Sequence, residues 1–235
     1  MVFPTLVTWV YFVWLKDSPA SGQQTAYSIG KTIQFVFPIA WVWFFDRQFL
    51  QTKTRRVPNM KKHFGLSREM WLGIGFSDLV VAAIFVIYFV FLQSTDVASL
   101  LVEQVRTKTI GTGIDTTFKF LALGVFYSLC HSFLEEYYWR WFVFGYLRKH
   151  LSVTHSIVVS SLGFMAHHVI LLGVFFGPAS PLTYLFSISV GIGGAFWAWL
   201  YYATGSLRAA WISHLIVDAG IFTLGYILIR PFLAG

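Results

Sequence analysis

The sequence predicts an all-α fold, a polytopic bundle of about seven transmembrane helices (six to eight). Of its 235 residues, 57% are hydrophobic and only 11% are charged, whereas a soluble domain carries about 25% charged residues. This small number of charged residues cannot cover a surface that faces water. Most of the exterior must therefore face lipid. The apolar residues also occur in windows close to the roughly 20 residues with which a helix crosses the hydrocarbon core.

Six apolar windows predict membrane spans, and a seventh window is shorter. The six lie at about residues 27–45, 70–93, 116–134, 154–176, 182–203 and 209–230. We count segment 2–15 as the seventh span, crossing with a tilt, and an interfacial position is its alternative. The third window stays aromatic up to Leu147, so its helix either continues or breaks after residue 134. No linker or repeat separates the windows, which predicts a single membrane domain over residues 1–235.

Basic residues are concentrated between the second and third windows. Loop 46–69 contains Arg47, Lys53, Arg55, Arg56, Lys61, Lys62 and Arg68. By the positive-inside rule this loop faces the cytoplasm. The net charge of +7 therefore reflects topology, and no nucleic-acid partner is expected. The small size and the lack of a targeting segment favour the inner membrane of a prokaryote.

The densest group of ionisable residues interrupts the third window. Each such side chain costs at least about 2.5–3.5 kcal/mol inside a span and therefore needs a reason. Glu136 and Arg140 are four residues apart, share a helix face and can form an ion pair; structural and catalytic roles stay equally open for them. The pair leaves Glu135 without a partner in its helix, which makes Glu135 a candidate general acid or base. For His131, one turn earlier, packing is the favoured role.

Two further groups place histidines in later windows. His167 and His168 are adjacent, so they point to helix faces about 100° apart, and only one is expected to face a shared site. His214 and Asp218 are four residues apart, so either the aspartate orients the imidazole or both side chains face a cavity. At 1.5 Å per residue, Glu135, His168 and His214 lie about 18, 21 and 15 Å from the cytoplasmic boundaries of their helices. The three side chains can therefore meet at one level.

Together, these groups resemble the motifs of a known protease family. Glu135-Glu136-x-x-x-Arg140, Phe164-x-x-x-His168 and His214-x-x-x-Asp218 are similar in order and spacing to the EExxxR, FxxxH and HxxxN/D motifs of the CPBP intramembrane proteases, the family of CAAX prenyl proteases and bacteriocin-processing enzymes. The resemblance covers about residues 116–230. It also selects His168 over His167, because only His168 lies four residues after Phe164.

The resemblance implies that a water activated by Glu135 and His168 hydrolyses a peptide bond. His214 and Asp218 would stabilise the tetrahedral oxyanion, and the Glu136–Arg140 pair would hold the site in shape or contact the substrate. Amide hydrolysis needs such a set: a base, an acid for the leaving amine and donors for the oxyanion. Asp218 can donate only when protonated; otherwise it serves to orient His214.

A zinc site formed by Glu135, His168 and His214 is the alternative to a metal-free glutamate mechanism. The sequence contains no HExxH motif, and no single helix supplies two of these ligands at a spacing of four residues. The metal-free mechanism is therefore favoured, and no cofactor is expected.

Other functions fit the sequence less well than a protease. A proton-coupled transporter predicts polar residues spread along a path, whereas here they cluster; Lys31, Asp78 and Lys119 are further charges that can extend toward an interface. A non-catalytic scaffold or chaperone would be expected to lack at least one motif residue, and every motif residue is present. A lipid-modifying transferase needs an aspartate-rich metal–phosphate site, which is absent.

The expected substrate is a membrane protein or a lipidated peptide in the bilayer, and a prenylated C-terminus, a bacteriocin leader and a membrane-anchored sorting tail stay open.

Overall fold

The computed structural model describes residues 1–47 and 67–235. Within them the chain folds into these helices: α1 (Val2–Trp14), α2 (Ala20–Phe45), α3 (Arg68–Leu92), α4 (Asp96–Gly111), α5 (Thr117–Leu147), α6 (Val153–Phe176), α7 (Pro181–Thr204) and α8 (Leu207–Ile229). Six of the described helices, all except α1 and α4, are long and apolar enough to cross a membrane. The predicted polytopic helical bundle is confirmed, and the protein is an integral membrane protein.

The segment expected to form a seventh span is the short helix α1. At 1.5 Å per residue α1 is about 20 Å long, which is less than the roughly 30 Å of the hydrocarbon core. Its Val7 packs onto Gly30 of α2, where a Cβ atom would lie 2.8 Å from Val7 Cγ1. Met1 lies beside Gly163, in the middle of α6. Helix α1 therefore packs against two spans and is shorter than the six helices that are long enough to cross.

Helix α5 continues without a break through the first motif to Leu147. The Ser132–Glu136 segment, which carries both glutamates, is α-helical and lies between two π-helical stretches, Tyr127–His131 and Tyr137–Phe144. π-Helical turns inside α-helices are frequent at functional sites. The wider turns change the angular spacing along α5, so the directions of its side chains differ from those of a regular helix.

Polar contacts between helix ends support the predicted alternation of the spans. Asp46, directly after α2, accepts a hydrogen bond from Tyr146 at 2.8 Å and forms an ion pair with Lys149, so α2 and α5 end on the same side. On the opposite side, Gln24 donates to the carbonyl of Thr112 at 3.4 Å. Most of loop 46–69, including Lys53, Arg55, Arg56, Lys61 and Lys62, lies outside the described residues.

Local sequence signals begin and end the helices at these points. Five of the described helices begin after a serine or threonine whose hydroxyl accepts a hydrogen bond from a backbone N–H in the first turn: Ser67, Thr116, Ser152, Ser180 and Ser206. This is the usual N-cap arrangement. Helix α7 ends at Gly205, whose φ of 63° lies in the left-handed region that glycine adopts without strain.

The largest aromatic cluster lies where α5, α6, α7 and α8 meet. It includes Tyr138 and Trp139 of α5, Phe164 of α6 and Trp197 of α7, all of which are buried. The three predicted motifs lie on α5, α6 and α8, so their polar side chains are enclosed by this cluster.

Candidate active site

Glu136 is fully buried and is held from two sides. The Nε atom of Arg140, one turn later on α5, lies 3.1 Å from Glu136 Oε2. On the other side, Nδ1 of His214 lies 2.8 Å from Oε1. Arg140 also donates to the carbonyl oxygen of Gly194 at 3.3 Å. The predicted Glu136–Arg140 ion pair is therefore present, and it connects α5 with α7 and α8.

Aromatic rings enclose Arg140 and His214. The guanidinium carbon of Arg140 lies 4.7 Å from the ring centroid of Phe164 and 5.3 Å from that of Trp197. The Trp197 ring stacks on the imidazole of His214, with centroids 4.1 Å apart and an interplanar angle of 13°. Gly194 permits this packing, since a Cβ atom there would lie 3.0 Å from Phe164 Cδ1 and 3.6 Å from Arg140 Nη2. Phe164 thus holds the arginine of the first motif in place.

Glu135 is buried and faces histidines instead of the arginine. Its Oε1 lies 3.8 Å from Nε2 of His131 and 3.6 Å from Nε2 of His167. Its Oε2 lies 3.9 Å from Nε2 of His214. These distances exceed the roughly 2.7–3.2 Å of a hydrogen bond. The carboxylate is therefore within reach of three imidazoles without being closed off by a tight ion pair.

Both adjacent histidines of α6 face the site, contrary to the expectation that only one would. Ligand atoms of Glu135, His167 and His168 lie within 4.8 Å of one another. The site lies between the two side-chain directions, so each imidazole reaches it from its own side. His168 is held by a hydrogen bond between its Nδ1 and the carbonyl of Phe164 at 2.9 Å, and the His167 ring stacks on Trp139 with an interplanar angle of 4°.

Asp218 lies at the edge of the site. Its Oδ1 is 3.6 Å from Nε2 of His214, and its side chain is 18% exposed, against 6% for the histidine. The two alternatives for the pair were that Asp218 orients the imidazole or that both face a cavity. Glu136 holds Nδ1 of His214, so the orienting carboxylate is Glu136, while Asp218 and Glu135 both face Nε2.

The sequence prediction missed two residues near Glu135. His131 was assigned to packing, although its spacing of four residues from Glu135 is a signal that could have placed it there. Lys31 lies on α2, outside the three motifs, and its charge interacts electrostatically with Glu135. No local pattern in the sequence connects Lys31 with α5.

Residues 117–220 match the sequence model of the family described as type II CAAX prenyl endopeptidase Rce1-like. This range covers α5, α6, α7 and the first part of α8, and it contains every residue of the three motifs. This part of the chain is similar to the CAAX proteases. The resemblance of the three motifs to this family is thereby confirmed, and the match supports an endopeptidase activity for this membrane protein. Neither curated proteins nor solved structures gave a significant match to the chain.

The CAAX endopeptidase region does not include α1 to α4. Helix α2 nevertheless contributes to the surroundings of the site, because Phe35 contacts His131 with ring centroids 6.2 Å apart. Residues of α2 near Glu135 are therefore features of this chain that the family match does not cover.

Proposed function

We propose that the protein hydrolyses a peptide bond in a membrane-anchored, lipidated or hydrophobic substrate, using a water molecule that Glu135 activates without a metal ion. One observation carries the proposal: Glu135 is buried among three imidazoles, whereas its neighbour Glu136 is engaged by Arg140 and His214. Glu136 thus connects the helices, and Glu135 keeps a carboxylate that no tight ion pair occupies and that can transfer a proton.

His168 assists Glu135 in positioning and deprotonating the water. A carbonyl oxygen only accepts hydrogen bonds, so Nδ1 of His168, 2.9 Å from the Phe164 carbonyl, carries the proton. In the neutral ring Nε2 is then an acceptor. Glu135 takes the proton from the water as the oxygen attacks the scissile carbonyl, and it returns this proton to the leaving amine.

His214 stabilises the tetrahedral oxyanion. The Glu136 carboxylate accepts from Nδ1 of His214 at 2.8 Å, so Nε2 can donate only in the imidazolium form. The negative charge of Glu136 favours that form, as the aspartate does in a catalytic triad. Asp218 acts through His214: its carboxylate, 3.6 Å from Nε2, favours the charged imidazolium, while Glu136 orients the ring.

A metal-dependent form of the same reaction is the second candidate. Glu135, His167 and His168 are the described group that could hold an ion, and one carboxylate with two imidazoles is a ligand set of catalytic zinc sites. This set has His167 where the sequence predicted His214. Zinc bound there would polarise the scissile carbonyl and activate water.

The test is cleavage of membrane-anchored and lipidated reporter peptides by the purified wild type and by Glu135→Gln, each with and without a strong chelator. Loss of the general base is expected to lower kcat by about 10²–10⁴-fold, and the chelator is expected to change nothing. Glu103→Gln is the matched control, since Glu103 is 61% exposed on α4.

Equal activity of Glu135→Gln and wild type would contradict the proposed role of Glu135. Cleavage that the chelator abolishes and added zinc restores would replace the metal-free mechanism by the metal-dependent one.

The surroundings of the site support an apolar substrate. A groove with a volume of about 230 Å³ lies between α2 and α5 and is lined by Ile39, Val42, Trp43, Tyr137 and Trp141. Its five apolar and aromatic lining residues suit an apolar chain, and Tyr137 directly follows Glu136 in the sequence. We propose that the Phe45–Arg68 connection faces the cytoplasm, which the shared side of Asp46 and Lys149 supports. The inner membrane of a prokaryote stays a prediction from the sequence.

A further inference from the structure

Lys31 lies within the membrane-spanning helix α2. At 1.5 Å per residue it is about 17 and 21 Å from the two ends of α2. It belongs to the inward stripe of α2, one turn before Gln34 and two turns before Pro38, both of which are buried. This position directs Lys31 toward the neighbouring helices, so its charge calls for a role within the bundle.

The ammonium group of Lys31 contacts rings and has no carboxylate partner. Its Nζ lies 5.6 Å from the ring centroids of both Tyr27 and Phe35. Among residues 1–47 and 67–235, no ion pair or hydrogen bond engages it. An ammonium carries three donors, and rings supply a favourable face without accepting conventional hydrogen bonds. These donors are therefore open to an anionic ligand.

The ammonium group faces the site that contains Glu135. Phe35, which contacts Lys31, also contacts His131, with ring centroids 6.2 Å apart. His131 Nε2 in turn lies 3.8 Å from Glu135 Oε1. The charge of Lys31 interacts electrostatically with Glu135, His131 and His167. Lys31 thus stands at the border of the site, one aromatic ring beyond His131.

We propose that Lys31 binds the C-terminal carboxylate of the peptide substrate, which rests on the proposed protease function. A CAAX motif is the last four residues of a chain, so an endopeptidase that cuts inside it releases at most three residues ending in a carboxylate. An extended segment of three residues reaches about 10 Å. A terminal carboxylate must then be accommodated inside the bundle close to Glu135, where an unpaired anion is costly.

A charge at this position would select substrates by where their chain ends. A peptide bond near a free C-terminus places a carboxylate on Lys31, whereas a bond far from the C-terminus places a neutral backbone there and leaves the ammonium without its partner. Buried donors left unpaired are a strong source of discrimination between substrates. Lys31 is therefore a specificity-determining residue supplied by α2.

The experiment compares two prenylated peptides that differ only at the last group, a free carboxylate or a carboxamide. The wild type in detergent or bilayer is expected to prefer the carboxylate by at least about 30-fold in kcat/KM, the loss typical when one partner of a buried charge pair is removed. In Lys31→Met the ratio of the two kcat/KM values is expected to fall to about one, because only the cleavage of the peptide with the free carboxylate slows down. Lys31→Arg should retain most of the preference, and Lys16→Met is the control, since Lys16 is 64% exposed.

Equal cleavage of both peptides by the wild type would overturn the assignment. A loss in Lys31→Met that is the same for both peptides would also overturn it and would make Lys31 a positioning residue for Glu135. Cleavage of neither peptide by the wild type would instead refute the proposed substrate class, and the role of Lys31 with it. Thermal unfolding of each variant separates these outcomes from misfolding.

Discussion

Replacing Arg140 with methionine removes the guanidinium from an ion pair whose two side chains are 2% and 0% exposed. The Glu136 carboxylate would keep its contact with His214 but would lose the permanent charge of the guanidinium. Breaking one side of a buried ion pair costs about 3–5 kcal/mol, because the remaining charge is left uncompensated. The variant would also lose the hydrogen bond to the Gly194 carbonyl. We therefore expect the free energy of unfolding to fall by at least about 3 kcal/mol.

The assay is denaturant-induced unfolding in mixed micelles, followed by tryptophan fluorescence, for Arg140→Met, Glu136→Gln and the double variant. In the double variant no charge is left uncompensated, since a glutamine amide is neutral. Its free energy of unfolding should therefore exceed the value expected from adding the two single effects, by about 1–3 kcal/mol. Arg106→Met is the matched control, because its pair with Glu103 is 46% and 61% exposed and contributes about 0–1 kcal/mol.

Additive effects of the two substitutions would refute this reasoning. So would a loss in Arg140→Met no larger than that in Arg106→Met. Either result would mean that the buried pair does not connect the helices of the site, and a direct catalytic role for Arg140 would then be favoured.

Two further predictions concern the packing behind the site. Gly194→Ala places a Cβ atom 3.0 Å from Phe164 Cδ1, so we expect a loss of about 1–3 kcal/mol in unfolding free energy from overpacking. Gly22→Ala is the control, because no atom lies within 4 Å of its Cβ. Equal stability of the two variants would contradict the close contact. Ser213→Ala removes the acceptor that lies 3.0 Å from Trp197 Nε1. Leaving this buried donor unpaired should cost about 1–3 kcal/mol, which the same unfolding assay measures, and an unchanged midpoint would contradict it.

Local spacing along the chain predicted the parts of the site that lie on a single helix. Glu136 and Arg140 form an ion pair because four residues make about one helical turn, and the pair leaves Glu135 directed elsewhere. Composition predicted the membrane bundle for an equally direct reason, since too few charges are present to cover a surface in water. Both arguments depend on neighbours in sequence or on totals, which need no knowledge of tertiary contacts.

Contacts between helices decided the rest. Glu136 orients His214 across 78 positions of the sequence, and no local pattern encodes which carboxylate an imidazole will meet. His167 joins His168 in the site because the bundle places Glu135 between their two directions. The same holds for segment 2–15, whose packing against α2 and α6 is set by residues far away in the sequence.

The sequence by itself determined that this is a helical membrane protein whose motifs resemble those of the CAAX proteases. Hydrophobic composition reports on lipid exposure, and the spacing of three short motifs reports on the chemistry of their side chains. Only the tertiary structure decided that Glu136 also holds His214 and that both His167 and His168 face Glu135, and it brought Lys31 from an unmatched helix toward the site. The physical reason is that the interaction of two side chains depends on their distance in space, which the crossing of distant helices sets.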